Sequence, residues 1–296
     1  MTALQALLLG VLQGLTEFLP VSSSGHLVLG KKVLGVASEM PVTFEVVVHA
    51  GTLIATLLVF WRPVWEILVF LASAVRRQAG GRQDSQSGTK AGGPPFGEVR
   101  RWWTDPAGRL LTLIVVGTIP AVLVGFLLEE KIELLFGNAL LVGMALCVTG
   151  AVLFASRWSR CRREGIEGIS LGMGVLVGIA QALAITPGIS RSGATIATGL
   201  LGGIDRETAA RFSFLLSMPA VAGAVVVKTG DIAQAGGEVG WLPLLVGFAA
   251  SLVVGYAALR VLLAFVRYGR LHWFAYYCWP VGGAATVAFA LGFLRG

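Results

Sequence analysis

Charge is scarce in this chain. Asp, Glu, Lys and Arg make up 13% of 296 residues, about half of the roughly 25% usual in soluble domains, and a soluble globule is thereby excluded. Cysteine is scarce too: Cys147, Cys161 and Cys278 form an odd set without CxxC or metal-ligand spacing, so neither a disulfide framework nor a zinc site is encoded. The N-terminal MTALQALLLGVLQGLTEF lacks a basic leader and a small-residue cleavage site. It carries Gln13 and Glu17 where a signal peptide is uniformly apolar, so it reads as mature protein. The net charge of +7 sits in short loops between apolar runs, where it sets membrane orientation and does not imply nucleic acid.

What the chain has in excess is apolar and small. It is 55% hydrophobic with 40 glycines and eight tryptophans, and its mean hydropathy is +0.79. Small residues let membrane helices approach and Trp favours the headgroup level, so the fold class is an all-α polytopic membrane protein. Six stretches are long enough to cross a bilayer core that needs about 20 residues: 42–60, 109–128, 137–156, 212–228, 241–264 and 274–294. Two further apolar regions, 1–30 and 168–204, are broken by Pro20-Val-Ser-Ser-Ser-Gly25 and Pro187-Gly-Ile-Ser-Arg-Ser-Gly193. Each half is too short to cross, and both regions read as re-entrant helical hairpins whose irregular backbone must be satisfied by protein or water.

Loop charges orient the spans. Arg62, Arg76, Arg77, Arg82, Lys90, Arg100 and Arg101 lie in 61–107; Arg157, Arg160, Arg162 and Arg163 follow the third span; Arg267 and Arg270 follow the fifth. The intervening loops carry Glu129, Glu130, Lys131 and Glu133, and Lys228, Asp231 and Glu238. Lys and Arg mark the cytoplasmic side, so both termini are outside, the first hairpin enters from the outer face and the second from the cytoplasmic face.

A shift of 168 residues superimposes Gly10-Val-Leu-Gln13-Gly-Leu15 on Gly178-Ile-Ala-Gln181-Ala-Leu183 and Val21-Ser-Ser-Ser-Gly25 on Ile189-Ser-Arg-Ser-Gly193. It still pairs Phe44 with Phe212, and a shift of 130 pairs Gly117, Ala121 and Gly125 with Gly247, Ser251 and Gly255. Gly-rich apolar stretches can resemble each other by chance, but ungapped agreement between oppositely oriented halves favours an inverted-topology repeat, an architecture whose sites lie between discontinuous helices. The expected organisation is one integral membrane domain over 1–296, with repeat 1 at about 1–156, a flexible cytoplasmic loop at about 78–100, and repeat 2 at about 168–296.

Glu17 stands inside an apolar hairpin, where a carboxylate costs about 2.5–3.5 kcal/mol even on insertion scales, and is a functional-site candidate on that ground. Gln13 lies one turn earlier, Ser22, Ser23 and Ser24 offer hydroxyls at the tip, and His26 follows Ser23 by three residues. Ser22 and Ser24 also suit helix capping; Ser23 with His26 and Glu17 points to chemistry. The second tip supplies Ser190, Arg191, Ser192 and Thr195 before a helix N-terminus, which reads as a phosphate cradle because an Arg fork binds phosphate oxygens bidentately. An Arg191–Glu17 ion pair that merely joins the hairpins is the alternative, and both hold together in a resting state. Glu45 and His49 share one helix face as support for the site, a proton path, or a hydrogen-bonded pair without chemistry. His272, among Arg270, Trp273, Tyr276 and Tyr277, reads as an interfacial anchor, and Asp205, Arg206, Glu207 and Arg211 as the cytoplasmic mouth of the second hairpin.

Gln13-Gly-Leu-Thr-Glu17-Phe-Leu-Pro-Val-Ser-Ser23-Ser-Gly-His26 and Pro187-Gly-Ile-Ser-Arg191-Ser-Gly-Ala-Thr195 resemble the undecaprenyl-diphosphate phosphatases of the bacitracin-resistance type. The resemblance extends through Thr43-Phe-Glu-Val, Gly117-Thr-Ile-Pro120 and Arg211-Phe-Ser-Phe-Leu-Leu-Ser-Met-Pro219. It implies removal of the terminal phosphate of a C55 polyprenyl diphosphate at the outer face of the bacterial plasma (inner) membrane, recycling the carrier for peptidoglycan synthesis and conferring bacitracin resistance. It makes Ser23 the nucleophile, Glu17 and His26 the proton-handling groups, Arg191 the diphosphate clamp, and Gln13, Ser22, Ser24, Ser190, Ser192 and Thr195 substrate-binding groups; a phosphohistidine at His26 stays open. Gln13 leaves one carboxylate where many relatives carry two, which speaks against a mechanism that needs a carboxylate pair to hold a metal; a divalent cation, Mg or Ca, stays open as cofactor, as does a homodimer. The alternative from architecture alone is an inverted-repeat transporter or lipid-carrier flippase without hydrolytic activity. The Ser23/His26 group beside Arg191 speaks against it, since transport needs no nucleophile.

Overall fold

The computed structural model describes residues 1–33, 42–84, 102–128, 135, 138–235 and 240–291. Eleven α-helices carry the fold among these residues: α1 Ala3–Phe18, α2 Ser23–Val33, α3 Val42–Val59, α4 Trp61–Asp84, α5 Pro106–Leu127, α6 Ala139–Ala155, α7 Leu171–Leu183, α8 Arg191–Leu201, α9 Arg206–Ala235, α10 Trp241–Arg267 and α11 Ala275–Ala290. Local sequence fixes their starts. Thr2 caps α1 in a reciprocal box with Gln5, Asp105 caps α5 ahead of Pro106, and Asn138, Ser170 and Ser190 cap α6, α7 and α8. Each supplies a side-chain acceptor to backbone N–H groups that have no partner inside the helix.

Over the described residues all six expected spans are helical, and α5, α6, α9 and α10 are long and apolar enough to cross a membrane. Their outer faces are apolar: Phe126 is 81% exposed and Val226 72%, which suits lipid and not water. The first expected span, α3, is joined to α4 by an 81° bend at Phe60. Trp61–Asp84 corrects the sequence reading, which placed it in a loop: Arg62, Glu66, Arg76 and Arg77 dilute its hydropathy, yet Trp61, Trp65, Leu68 and Val69 give it an exposed apolar side. The expected flexible loop therefore begins after Asp84 at the earliest, and its remainder, like Glu129–Glu133 and Glu238, lies outside the described residues. Asp205, read as part of the second hairpin's mouth, accepts hydrogen bonds from the backbone N–H groups of Thr208 and Gly165 and so starts α9 and pins the preceding loop. Burial pushes its carboxyl up, but the hydrogen bonds from Thr208, Gly165 and Glu207 outweigh this and hold it below the ordinary aspartate range.

The two halves are built alike and packed into one another. α1 packs on α10, and its counterpart α7 packs on α5; α3 meets its own counterpart α9, and α6 meets α11. Close approach of small residues makes the crossings possible. A Cβ on Gly10 would lie 2.6 Å from the Gly247 carbonyl oxygen, and one on Gly178 would meet the Gly117 carbonyl oxygen closer still. These are the same crossing made twice, because Gly10 corresponds to Gly178 and Gly247 to Gly117 in the repeat. Phe44 and Phe212, paired by the same shift, are both fully buried.

Gly10→Val and Gly178→Val should each destabilise the protein by about 1–3 kcal/mol, the usual cost of overpacking. Gly223→Ala, whose added methyl meets nothing within 4 Å, should be neutral or slightly stabilising. Thermal unfolding in detergent checks this, and equal melting points for all three variants would show that the glycine crossings do not set the packing.

Candidate active site

The two hairpins meet tip to tip. A Cβ on Gly25 would sit 3.4 Å from Gly188 Cα, and one on Gly193 would sit 3.1 Å from Pro20 Cβ, again one contact repeated by the 168-residue correspondence. The first tip turns at Ser22, whose φ of +69° is the one positive value among the described non-glycine residues. Ser22 Oγ accepts from Gly25 N at 3.4 Å and lies 3.3 Å from Ser24 Oγ. Ser190, its counterpart, accepts from Gly193 N at 3.1 Å and lies 3.3 Å from Ser192 Oγ. Ser22 and Ser190 are thus capping residues in this state. α2 and α8 both begin at this junction with their N-termini, the ends at which unpaired N–H groups and the helix dipole favour an anion.

Glu17 lies at the centre, its side chain 6% exposed. One carboxylate oxygen, Oε1, is held by Arg191 Nη2 from the other repeat. The other, Oε2, accepts from Ser23 Oγ at 2.7 Å and from Gln13 Nε2 at 3.0 Å. His49 Nε2 stands 3.9 Å from it, oriented by its Nδ1, which donates to Glu45 O at 2.8 Å. The carboxylate so positioned can accept the Ser23 proton directly.

His26 sits one turn into α2 with both ring nitrogens engaged: Nδ1 donates to Ser22 O at 2.9 Å and Nε2 lies 2.8 Å from Tyr277 OH. Ser192 donates to Phe18 O at 3.0 Å, satisfying the end of α1, and Thr195 donates to Arg191 O at 2.8 Å within its own helix. Glu17, Arg191, Ser192 and Thr195 face a narrow cleft together with Thr52, Thr56, Ser213 and Ser217. Sequence reading missed those last four. Ser213 and Ser217 are what the repeat puts opposite Glu45 and His49, so applying the 168-residue shift to that pair would have found them. Ser213 Oγ is buried without a partner.

With this geometry in hand, comparison with known proteins is decisive. The profile of the family described as "Bacitracin resistance protein BacA" matches residues 6–284. The chain belongs to this family. It is 43% identical over 284 residues to the "Undecaprenyl-diphosphatase" of Desulforapulum autotrophicum, covering 96% of this chain and 97% of the relative. It is 42% identical over 289 residues to the protein of that name from Desulfatibacillum aliphaticivorans, covering 96% and 98%. An archaeal relative of the same name, from Methanobrevibacter smithii, is 41% identical over 284 residues, covering 95% and 96%. Both hairpin tips and the side chains of the site fall within the span matched to the family.

Breaking the Glu17–Arg191 pair should cost more than removing it. Arg191→Ala leaves a buried carboxylate uncompensated, a loss of about 3–5 kcal/mol, whereas adding Glu17→Gln to it removes the charge and should restore most of that stability. Melting points of the single and double variants in detergent check this; a double variant no more stable than Arg191→Ala would show that the pair is not coupled.

Proposed function

We propose that this chain hydrolyses undecaprenyl diphosphate to undecaprenyl phosphate and inorganic phosphate at the outer face of the bacterial plasma membrane, returning the carrier to peptidoglycan synthesis and conferring bacitracin resistance. The observation that carries the reading is the 2.7 Å hydrogen bond from Ser23 Oγ to a Glu17 carboxylate whose other oxygen is held by Arg191. A hydroxyl, a carboxylate that accepts from it and a guanidinium stand at the junction of two helix N-termini. That arrangement suits a substrate with an anionic head and an apolar tail, and the relatives' names supply the head and tail.

In the resting state Arg191 pins Glu17. An incoming diphosphate competes for the guanidinium fork with more negative charge than the carboxylate carries, so substrate binding frees Glu17 to act as base. Ser23 Oγ then attacks the terminal phosphorus and its proton passes to Glu17; the anhydride P–O bond breaks and undecaprenyl phosphate leaves. Water attacks the phosphoserine, the Oγ–P bond breaks, Glu17 returns its proton to Ser23, and dihydrogen phosphate departs. Arg191 and the N-termini of α2 and α8 hold the charge in both steps, the electrostatic contribution that dominates phosphoryl transfer. His26, with both ring nitrogens engaged elsewhere, orients the tip and takes no proton from Ser23, and this also disfavours a phosphohistidine.

The described residues form no all-protein cage for a divalent cation. Among the described residues no three His, Cys, Asp or Glu side chains gather to hold one, and Glu17 is already matched by Arg191. No step is therefore routed through a metal.

Purified in detergent, with no second compartment, the protein should release phosphate from undecaprenyl diphosphate. Ser23→Ala should abolish release, and Glu17→Gln should lower it by at least about 10²-fold, the usual contribution of a general base. In sealed right-side-out vesicles the phosphate should appear outside. Absence of release from the active-site-intact protein would favour the transporter reading, and phosphate appearing only inside would overturn the outer-face assignment.

A further inference from the structure

We propose that Tyr277 is a positioning residue for Ser23, acting through His26 and the Ser22 carbonyl. The inference rests on the reading of Ser23 as nucleophile, but its link to His26 stands on geometry alone. Sequence placed Tyr277 near His272 at a membrane boundary, where tyrosine hydroxyls commonly face water or headgroups. Instead the hydroxyl lies 2.8 Å from His26 Nε2, and the two rings stack at 5.7 Å with an 18° interplanar angle.

The hydrogen-bond chain has one consistent direction. Ser22 O can only accept, so His26 Nδ1 carries the proton and donates to it at 2.9 Å. Nε2 of the neutral ring is then an acceptor, and Tyr277 OH must be the donor. The chain ends on the carbonyl of the one described non-glycine residue with positive φ. A backbone held in that region is strained and persists only where its surroundings over-determine it. The Ser22 carbonyl also accepts from His26 N at 3.2 Å, so the ring adds a second tie to the same oxygen. The turn at Ser22 in turn sets where α2 begins and aims Ser23 Oγ at Glu17.

A neighbouring observation points the same way. Cys278, the next residue in α11, lies with Sγ 3.6 Å from Pro20 O, so α11 grips the first tip on both sides of its turn. α6 does the same for the second tip: Thr149 donates to Gly188 O at 2.9 Å and accepts from Ser190 N at 3.0 Å. Pro20 and Gly188 are counterparts in the repeat, as are the paired helices α11 and α6. The tie to a histidine is particular to α11, because the residue corresponding to His26 is Ala194.

A double-mutant cycle tests the proposal. Tyr277→Phe removes one oxygen and keeps the packing; it should lower kcat by up to about tenfold, the worth of one hydrogen bond, with KM unchanged. In a His26→Ala background the same substitution should have no further effect. An independent readout uses the three histidines of the chain: in 15N-histidine-labelled protein, Tyr277→Phe should move the His26 Nε2 resonance and leave those of His49 in place. An additive loss of turnover in the two backgrounds, full activity of Tyr277→Phe, or an unmoved Nε2 resonance would each overturn the proposal. If the intact protein releases no phosphate, the phosphatase reading falls, and the resonance still decides whether Tyr277 holds His26.

Discussion

The ion pair between Glu17 and Arg191 is the interaction on which the rest of this molecule depends. Either charge alone in an apolar hairpin is expensive, and each repeat supplies only one of them. The pair can form only if two hairpins, one from each half of the chain, reach the same point. The glycine crossings Gly10–Gly247 and Gly178–Gly117 bring the supporting helices close enough for that to happen, and the interlocking of Gly25 with Gly188 and Gly193 with Pro20 brings the tips into register. Packing and electrostatics thus serve one constraint: a carboxylate and a guanidinium from different halves must share one buried place.

The halves have kept a common scaffold and divided the chemistry. Where repeat 1 has Glu17, Ser23 and His26, repeat 2 has Ile185, Arg191 and Ala194. Gln13 donates to Glu17, whereas its counterpart Gln181, equally buried, has no hydrogen-bond partner on either carboxamide atom; with Ile185 in the carboxylate's place there is nothing for it to bind. Conversely the capping serines Ser22 and Ser190 are retained in both tips, because both helices need an N-terminal acceptor whatever chemistry follows. In the proposed reaction one tip supplies nucleophile and base and the other the anion clamp, so that a head group bound between them would touch both.

Much of this was legible in the sequence because burial in a membrane makes exceptions conspicuous. Glu17 and Arg191 stood out as charges within apolar runs, and the 168-residue shift exposed the duplication, since closely packed small residues and capping serines recur for mechanical reasons. α4 was not legible, since its charged side resembles a loop when hydropathy is averaged along the chain. The partners of His26 were not legible: helical spacing places it near Ser23, but spacing cannot say what the ring nitrogens meet, and Tyr277 lies 251 positions away. Ser213 and Ser217 were hidden for another reason. A serine in an apolar helix costs little and attracts no notice until the repeat aligns it with Glu45 and His49.

The meeting of the two tips is tested most directly by a cross-link. In a full-length chain lacking Cys147, Cys161 and Cys278, cysteines replacing Pro20 and Gly193 would have Cβ atoms about 3.1 Å apart, a few tenths of an ångström short of the range disulfides adopt. Mild oxidation in native membranes should join them in most molecules, read as a shift in gel mobility reversed by reductant. Failure to cross-link, while the same oxidant joins a control pair placed across the α6–α11 contact, would contradict a single site assembled from both repeats.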